Sequence, residues 1–239
     1  MLRAITFDFW GTLYRNTSAE EERLVILGEA LALAGQPRSH EALQAAYRHA
    51  WDVFEHFWLQ EHRFVSTERW IQEMLAFLRA DLPQETQSGL VRPLEEVFVD
   101  RVAPRPVPGV PEVLPRLAQR FPLGLISDVG LTPGRVLREV MRRDGLLPHF
   151  RMLTFSDETG VTKPLAGPFL RTLAALGARP EEAAHVGDLP ETDLAGARGV
   201  GMRAILFLGV SHREDGRPLA DAVFEEYGEL EEIIRSMGR

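Results

Sequence analysis

The sequence of 239 residues contains no cysteine. Disulfide bonds, thiolate metal sites and cysteine nucleophiles are therefore excluded. No apolar run approaches the roughly 18 residues that a membrane-spanning helix requires. The residues after Met1 lead directly into a strand, without the regions that make up a signal peptide. We therefore expect a cytoplasmic protein that does not associate with membranes.

Lysine is almost missing as well. Of the 27 lysine and arginine residues only Lys163 is a lysine, and 35 acidic residues give a net charge of −8. A surface of that sign argues against nucleic acid as a partner. Lysine is a compact point charge that fits among carboxylates where the planar guanidinium fork of arginine does not. The single lysine, in the segment Gly160–Pro164, is therefore a candidate functional residue.

Buried strands are predicted at the start of the chain and throughout its second half. The predicted strands are 3–9, 123–128, 152–156, 183–188 and 202–208, with helices between the last four at 133–143, 167–176 and 191–198. Continuous apolar strands that alternate with helices indicate a parallel sheet covered on both faces. Three strands end in polar residues, namely Asp8, Ser127 with Asp128, and Asp188. Because ligands bind beyond the carboxyl ends of such strands, we expect these residues to share one edge.

Residues 15–102 interrupt the alternation with helical patterns and no good strand. A stripe of aromatic residues recurs there at the spacing of one helix face: Tyr47, Trp51, Phe54 and Trp58. We interpret this stripe as packing inside a helical insertion. Arg48 and His49, on the polar side of the same helix, are candidates to face a substrate.

The segment 103–109 carries a proline at every second position, which stiffens it and prevents a helix. We interpret it as a strap that returns the chain from the insertion. The predicted domains are therefore an α/β core, 1–14 with 103–239, and a helical domain, 15–102.

Four short motifs, in this order, resemble those of the haloacid dehalogenase superfamily of hydrolases. They are Asp8-Phe9-Trp10-Gly11-Thr12-Leu13, Ser127, Lys163-Pro164 with Phe169, and Gly187-Asp188 with Asp193. Each motif alone is a weak signal, whereas the ordered set is specific and spans nearly the full chain. The resemblance implies a Rossmann-like core with a helical cap domain and a hydrolytic activity.

The resemblance also implies a role for each motif. Asp8 would be the nucleophile, and Lys163 would hold both this carboxylate and the phosphate. Phosphate oxygens would be bound by Ser127, Asp128, Lys163, Gly11 and Thr12. The implied cofactor is Mg²⁺, with Asp8, the backbone carbonyl of Trp10, Asp188 and Asp193 around it.

Charge counting supports a cation independently of the resemblance. Asp8, Asp128, Asp188 and Asp193 give −4 at one edge of the sheet, and Lys163 changes this to −3. A dianionic phosphate would be very costly to place there without a divalent ion. Mg²⁺ prefers hard oxygen ligands, commonly one or two carboxylates.

Two residues depart from the pattern of the family's phosphatases. Trp10 stands where the resemblance implies a second Asp, which protonates the leaving group and then activates water. General acid–base catalysis of this kind contributes about 10²–10⁴-fold in rate. Asp128 stands where many relatives have Asn, and it is a candidate to supply the missing acid–base function.

The leading hypothesis is Mg²⁺-dependent hydrolysis of a small phosphorylated metabolite through an aspartyl-phosphate, slow because the general acid is missing. The first alternative is a metal-free 2-haloacid dehalogenase, because those enzymes carry an aromatic Tyr at the position of Trp10. In that case an arginine such as Arg48 would bind the carboxylate. The second alternative is a phosphate-binding or scaffold protein without catalysis. The sequence does not distinguish a monomer from a homodimer.

Overall fold

The chain divides into two compact units in the computed structural model, which describes residues 1–237. The core unit consists of Met1–Asn16, Pro104–Asp128 and the described residues from Met141 onward. The helical unit consists of Thr17–Ala103 and Val129–Val140.

The core unit contains one parallel sheet, which has six strands within the described residues. They are β1 (Ala4–Phe7), β2 (Leu123–Ser127), β3 (Phe150–Phe155), β4 (Ala183–Gly187), β5 (Arg203–Phe207) and β6 (Ala222–Phe224). The strand order is β3-β2-β1-β4-β5-β6, and each neighbouring pair is parallel. β1, β2 and β4 are buried along their whole length, in agreement with their continuous apolar sequences. The predicted α/β fold is confirmed.

The position of β1 between β2 and β4 determines where the polar residues meet. Asp8 follows β1 directly, Ser127 ends β2, and Asp188 follows β4. Parallel strands that are neighbours end at the same edge of the sheet, which is where such folds bind ligands. The sheet order therefore gathers these three residues, as the sequence predicted.

Eleven α-helices lie within residues 1–237. They are α1 (Glu20–Leu33), α2 (His40–Leu59), α3 (Thr67–Leu78), α4 (Gln84–Glu95), α5 (Val97–Asp100), α6 (Val110–Ala118), α7 (Gly134–Arg143), α8 (Ser156–Thr159), α9 (Ala166–Leu176), α10 (Ala195–Val200) and α11 (Tyr227–Met237). None of the described helices is both long enough and apolar enough to cross a membrane. In the core unit α9 packs against β2 and β3, and its Phe169, Leu173 and Leu176 join the core cluster.

The helix predicted at 191–198 begins differently in the structure. A π-helical turn, Pro190–Leu194, precedes α10. The reason is local, because the side chain of Asp193 accepts hydrogen bonds from the backbone N–H groups of Asp188 (3.2 Å) and Leu189 (3.0 Å). The widened turn therefore folds around one of its own carboxylates, a geometry that is common at functional sites.

The helical unit contains α1–α5, as predicted for an insertion without strands. Ser39 and Ser66 cap α2 and α3, because each hydroxyl accepts a backbone N–H of the first turn. In the aromatic stripe of α2, Tyr47 and Phe54 are buried against Trp70. Trp51 also contacts Trp70, yet 43% of it is exposed, so this residue lies at the border of the packed interior.

The segment Val129–Val140, which follows Ser127 and Asp128, packs with the helical unit. Arg23 of α1 fastens it: this buried guanidinium donates to Thr132 Oγ1 (2.8 Å) and to the carbonyl of Leu94 (3.2 Å). The predicted helical domain, 15–102, did not include this segment. The functional division into a catalytic core and a cap stays a prediction.

The proline strap pairs with the end of the Asp8 motif and the residues just after it. The N–H of Val107 donates to the carbonyl of Leu13 (2.9 Å), and the N–H of Arg15 donates to that of Arg105 (3.1 Å). Pro106 lies antiparallel to Tyr14 between these two hydrogen bonds. From Pro104 onward the strap therefore belongs to the core unit.

Candidate active site

The single lysine of the chain lies at the centre of a buried carboxylate cluster. Its ammonium donates to Asp8 Oδ1 (2.5 Å), to Asp193 Oδ1 (2.6 Å) and to the carbonyl of Ile126 (3.2 Å). The side chains of Lys163, Asp8 and Asp193 are at most 8% exposed. Three acceptors therefore use the three N–H donors of the lysine, and its position is fixed from three sides.

The charges in this cluster alter one another's titration. Burial raises the pKa of Asp8 well above its usual range, and the nearby carboxylates of Asp193 and Asp188 add to this effect, which Lys163 opposes. For Lys163, burial lowers the pKa, but the surrounding carboxylates outweigh burial and the net pKa is raised. The lysine is therefore protonated, and the ionised form of Asp8 needs more positive charge than one ammonium supplies.

Asp193 uses both carboxylate oxygens for hydrogen bonds within the protein. Oδ1 accepts from Lys163 and lies 3.2 Å from Nε2 of His185, and Oδ2 accepts from the N–H groups of Asp188 and Leu189. Burial raises the pKa of Asp193, but Lys163 and His185 lower it by more than burial raises it. The net pKa is therefore well below the usual range. Asp193 is thus an ionised anchor for both the lysine and the backbone that carries Asp188.

Asp188 differs from Asp193 in having an oxygen without a partner. Its Oδ2 accepts a hydrogen bond from the hydroxyl of Ser211, whereas Oδ1 is buried and has no hydrogen-bond partner among the described residues. Burial, and next the charge of Asp193, raise the pKa of Asp188 to about 7. A buried carboxylate oxygen without a donor is costly unless a cation balances it.

These features fit a hard divalent cation. One carboxylate oxygen each of Asp8, Asp188 and Asp193 lies within 4.8 Å of the other two. Because the oxygens of Asp193 already accept hydrogen bonds, Asp8 and the free oxygen of Asp188 are the stronger candidates for direct ligands. The ligand role predicted for the carbonyl of Trp10 stays a prediction.

The residues predicted to bind phosphate lie around this cluster. Ser127 is buried, and its hydroxyl donates to the neighbouring carbonyl of Asp128 (3.3 Å). The carboxylate of Asp128 accepts the backbone N–H of Lys163 (3.1 Å), so Asp128 holds the loop that carries the lysine. The hydroxyl of Thr12 is buried without a hydrogen-bond partner among the described residues, and it is suited to an added acceptor. Gly11 has a φ of +72°, and a Cβ there would overlap the carboxylate of Asp188.

Trp10 stands where the resemblance to the family's phosphatases implies an acid. Its ring is partly buried and contacts Phe9 edge-on, with ring centroids 4.8 Å apart. An indole N–H is only a donor, so Trp10 neither protonates a leaving group nor activates water.

The two residues predicted to face a substrate both lie on α2 of the helical unit. Arg48 is exposed. His49 stacks on Phe77 with ring centroids 5.1 Å apart, and its Nε2 lies 3.6 Å from Glu73. Their contact with a substrate stays a prediction.

The structure adds three residues that the sequence analysis did not select. His185 is buried between Asp193 and Thr6, to whose hydroxyl its Nδ1 lies at 2.8 Å. Ser211 contacts Asp188, and the hydroxyl of Tyr227 donates to the carbonyl of Thr12 (2.9 Å). Only His185 carried a signal, as a polar residue inside an apolar strand. The other two are far along the chain from their partners and belong to no motif.

Sequence comparison finds phosphatases among the relatives of this chain. The relatives with known names include a glyceraldehyde 3-phosphate phosphatase of Methanopyrus kandleri, 28% identical over 206 residues that cover 84% of this chain and 82% of the relative. A phosphoserine phosphatase of Thermus thermophilus is 46% identical over 68 residues, 28% of this chain and 27% of that protein. A glyceraldehyde 3-phosphate phosphatase of Pyrococcus furiosus is 33% identical, over 54% of this chain and 55% of the relative. The last two matches thus span about a quarter and about half of those relatives.

Solved structures show the same fold. A 2-haloacid dehalogenase from Pseudomonas syringae pv. Tomato DC3000 superposes with a TM-score of 0.73 and 27% identity over 99% of both chains. A haloacid dehalogenase-type phosphatase from Thermococcus onnurineus superposes with a TM-score of 0.65 and 22% identity over 98% of both chains. The model of the haloacid dehalogenase-like hydrolases matches residues 2–201. Together with the ordered motifs and the parallel sheet that brings them together, this match means that the chain belongs to the haloacid dehalogenase-like hydrolase family.

Proposed function

We propose that the protein hydrolyses a small phosphorylated metabolite with the help of Mg²⁺, through an aspartyl-phosphate on Asp8. The observation that carries the proposal is the unpartnered oxygen of Asp188, which is buried in the carboxylate cluster around Lys163. This arrangement favours a divalent cation, and a cation in turn favours a phosphate over an uncharged substrate. Phosphatases among the relatives support the same reaction class.

In the first step an oxygen of Asp8 attacks phosphorus, and the bond between phosphorus and the leaving oxygen breaks. In the second step water attacks the aspartyl-phosphate, which releases phosphate and regenerates the carboxylate. Bound Mg²⁺, held by Asp8 and Asp188, would neutralise negative charge on the phosphate. Lys163 orients Asp8 through its 2.5 Å hydrogen bond and adds positive charge. The hydroxyl of Thr12, which has no hydrogen-bond partner among the described residues, is a donor available for a phosphate oxygen, and the hydroxyl of Ser127 becomes one if it turns away from the carbonyl of Asp128.

The leaving group takes on particular importance because Trp10 is not an acid. Without a proton donor, the leaving oxygen departs as an anion or takes its proton from water. We therefore expect aryl and acyl phosphates to react faster than alkyl phosphates. The aspartyl-phosphate should also persist, because no base at this position activates water. Asp128 is our candidate for both proton transfers, and its hydrogen bond from the Lys163 N–H also gives it a positioning role.

A second candidate function is dehalogenation of a 2-haloacid. The similarity to the Pseudomonas syringae dehalogenase and the aromatic residue at position 10 favour it. In that reaction Asp8 attacks carbon, halide leaves, and water hydrolyses the resulting ester. The acidic surroundings oppose it, because Asp128 and Asp188 repel a substrate carboxylate and a neutral haloacid carbon needs no cation. The phosphatase is therefore the preferred function.

Release of phosphate from para-nitrophenyl phosphate, with and without Mg²⁺, tests the proposal. We expect Mg²⁺-dependent turnover that falls by at least about 10³-fold in Asp8→Asn, because the nucleophile is lost. Asp100→Asn, an exposed position of the helical unit, is the matched control and should retain turnover. Turnover that survives in Asp8→Asn would contradict the assignment of the nucleophile. Halide release from 2-chloropropionate without Mg²⁺ would favour the dehalogenase, and Mg²⁺ binding without any turnover would favour a binding protein.

Restoring the acid tests the explanation of slow turnover. We expect Trp10→Asp to raise kcat on an alkyl phosphate such as glycerol phosphate by about 10²-fold or more, because it supplies a proton donor for the leaving group. The matched control is Trp10→Asn, which makes nearly the same change in size but supplies no acid. Equal rates for these two variants would mean that the missing acid does not limit the reaction.

The raised pKa of Asp188 predicts that Mg²⁺ affinity depends on pH. Without a cation this carboxyl titrates at about pH 7, and a proton competes with the metal because ligands bind deprotonated. We expect the affinity at about pH 6 to be roughly tenfold lower than at about pH 8, with proton release on binding below pH 7. Isothermal titration calorimetry in buffers of different ionisation enthalpy measures both quantities. An affinity that is constant over this range would contradict the assignment of Asp188 as a ligand.

A further inference from the structure

The loop that follows β5 reaches the candidate metal site from a part of the chain without a recognised motif. Ser211 lies in this loop, and its hydroxyl donates to Oδ2 of Asp188. β5 is the neighbour of β4 in the sheet, so the ends of these strands place Ser211 beside the residue that follows β4. The contact is made across 23 residues of sequence.

The hydrogen bond gives the two oxygens of Asp188 different surroundings. Oδ2 is occupied by Ser211, and Oδ1 has no hydrogen-bond partner among the described residues. A carboxylate rotates freely in water, but here one oxygen is held by a donor. The remaining oxygen is therefore kept available to a cation.

Gly11 provides the space in which this contact forms. A Cβ at Gly11 would overlap Oδ2 of Asp188 and would lie 3.0 Å from Oγ of Ser211. The backbone conformation at Gly11, with φ +72°, is also one that glycine adopts most readily. The loop of the nucleophile, the loop of Asp188 and the loop after β5 thus meet at one point.

A second contact fastens the loop after β5 to the chain that follows Asp188. Arg213 donates from both terminal nitrogens to the two carboxylate oxygens of Glu191, each at 3.0 Å. Glu191 lies in the π-helical turn that also carries Asp193. A bidentate pair of this kind fixes geometry as well as adding energy. Ser211 and Arg213 therefore hold the same neighbouring segment at two points.

The backbone between these two contacts adopts an uncommon conformation. His212 has a φ of +49°, in the left-handed region that residues with a side chain rarely adopt. Such a backbone conformation costs conformational free energy and persists only where the surrounding structure enforces it. Here the conformation lets Ser211 and Arg213, on either side of His212, both face the loop of Asp188.

We propose that Ser211 is a positioning residue of the metal site, which orients Asp188 so that its free oxygen binds the cation, and that Arg213 holds the loop in place. The inference rests on the proposed Mg²⁺-dependent function. It extends the site to a loop that none of the four sequence motifs includes.

Mg²⁺ binding to the full-length protein, measured by isothermal titration calorimetry, tests the inference. Loss of a partner that orients a metal ligand typically lowers metal affinity by about 10–100-fold, and we expect a weakening in this range for Ser211→Ala. Ser211→Thr retains the hydroxyl and should recover most of the affinity. Arg213→Ala should weaken binding less, because it loosens the loop without removing the donor. Arg217→Ala is the matched control, since Arg217 pairs with exposed Glu214 and, among the described residues, has no ion pair with a residue of the site.

Activity gives a second readout. In Ser211→Ala the Mg²⁺ concentration for half-maximal turnover should rise by the same factor as the dissociation constant, while KM for para-nitrophenyl phosphate at saturating Mg²⁺ should change little. A residue needed only for folding would lower the thermal midpoint without this selective effect. If Ser211→Ala does not fold, Ser211→Cys, whose thiol is a weak donor, replaces it.

The outcomes distinguish failure of the positioning role of Ser211 from failure of the proposed Mg²⁺-dependent function. A folded Ser211 variant lacking a strong donor that binds Mg²⁺ within about threefold of the wild type would overturn the positioning role. A wild-type protein that binds no Mg²⁺ would overturn the proposed function itself. Equal weakening in Arg217→Ala would show a general effect of surface charge and would also overturn the inference.

Discussion

The ion cluster around Lys163 is the interaction on which the rest of the site depends. Its ammonium lies within 2.6 Å of carboxylate oxygens of both Asp8 and Asp193, and all three side chains are buried. Removing one member of a buried charge pair leaves an uncompensated charge, which costs about 3–5 kcal/mol. A compact ammonium suits a position bounded by two carboxylates and a carbonyl better than a planar guanidinium does. This explains why lysine persists here in a chain that otherwise uses arginine.

The cluster is incomplete in charge, and this incompleteness underlies its proposed chemistry. Asp8, Asp128, Asp188 and Asp193 bring −4 and Lys163 brings +1, which leaves −3, and one divalent cation would reduce this to −1. The carboxylates have two different roles in the cluster. Asp193 is saturated with hydrogen bonds and holds the framework, whereas Asp8 and Asp188 have raised pKa values and gain most from a cation. A site built in this way is arranged before substrate arrives.

The sequence predicted the parts of the site that depend on regular patterns. Apolar runs located β1, β2 and β4, and the residues at their ends, such as Asp8, meet because neighbouring parallel strands end at one edge. Contacts between distant loops could not be predicted, because Ser211 belongs to no motif and its meeting with Asp188 depends on how β5 leaves the sheet. β6 was missed because its apolar run, Ala222–Phe224, has only three residues and is too short to predict a strand. The π-helical turn depends on hydrogen bonds of the Asp193 side chain, which helix periodicity does not encode.

The most direct test of the central claim is to identify the group attached to Asp8 during turnover. Wild-type protein is mixed with Mg²⁺ and para-nitrophenyl phosphate, quenched in acid and analysed by peptide mass spectrometry. The account predicts a phosphoryl group on the peptide that contains Asp8, at a level that falls in Trp10→Asp, because a base at this position hastens hydrolysis of the intermediate. Turnover without modification of Asp8, or with the phosphoryl group on another residue, would contradict the account.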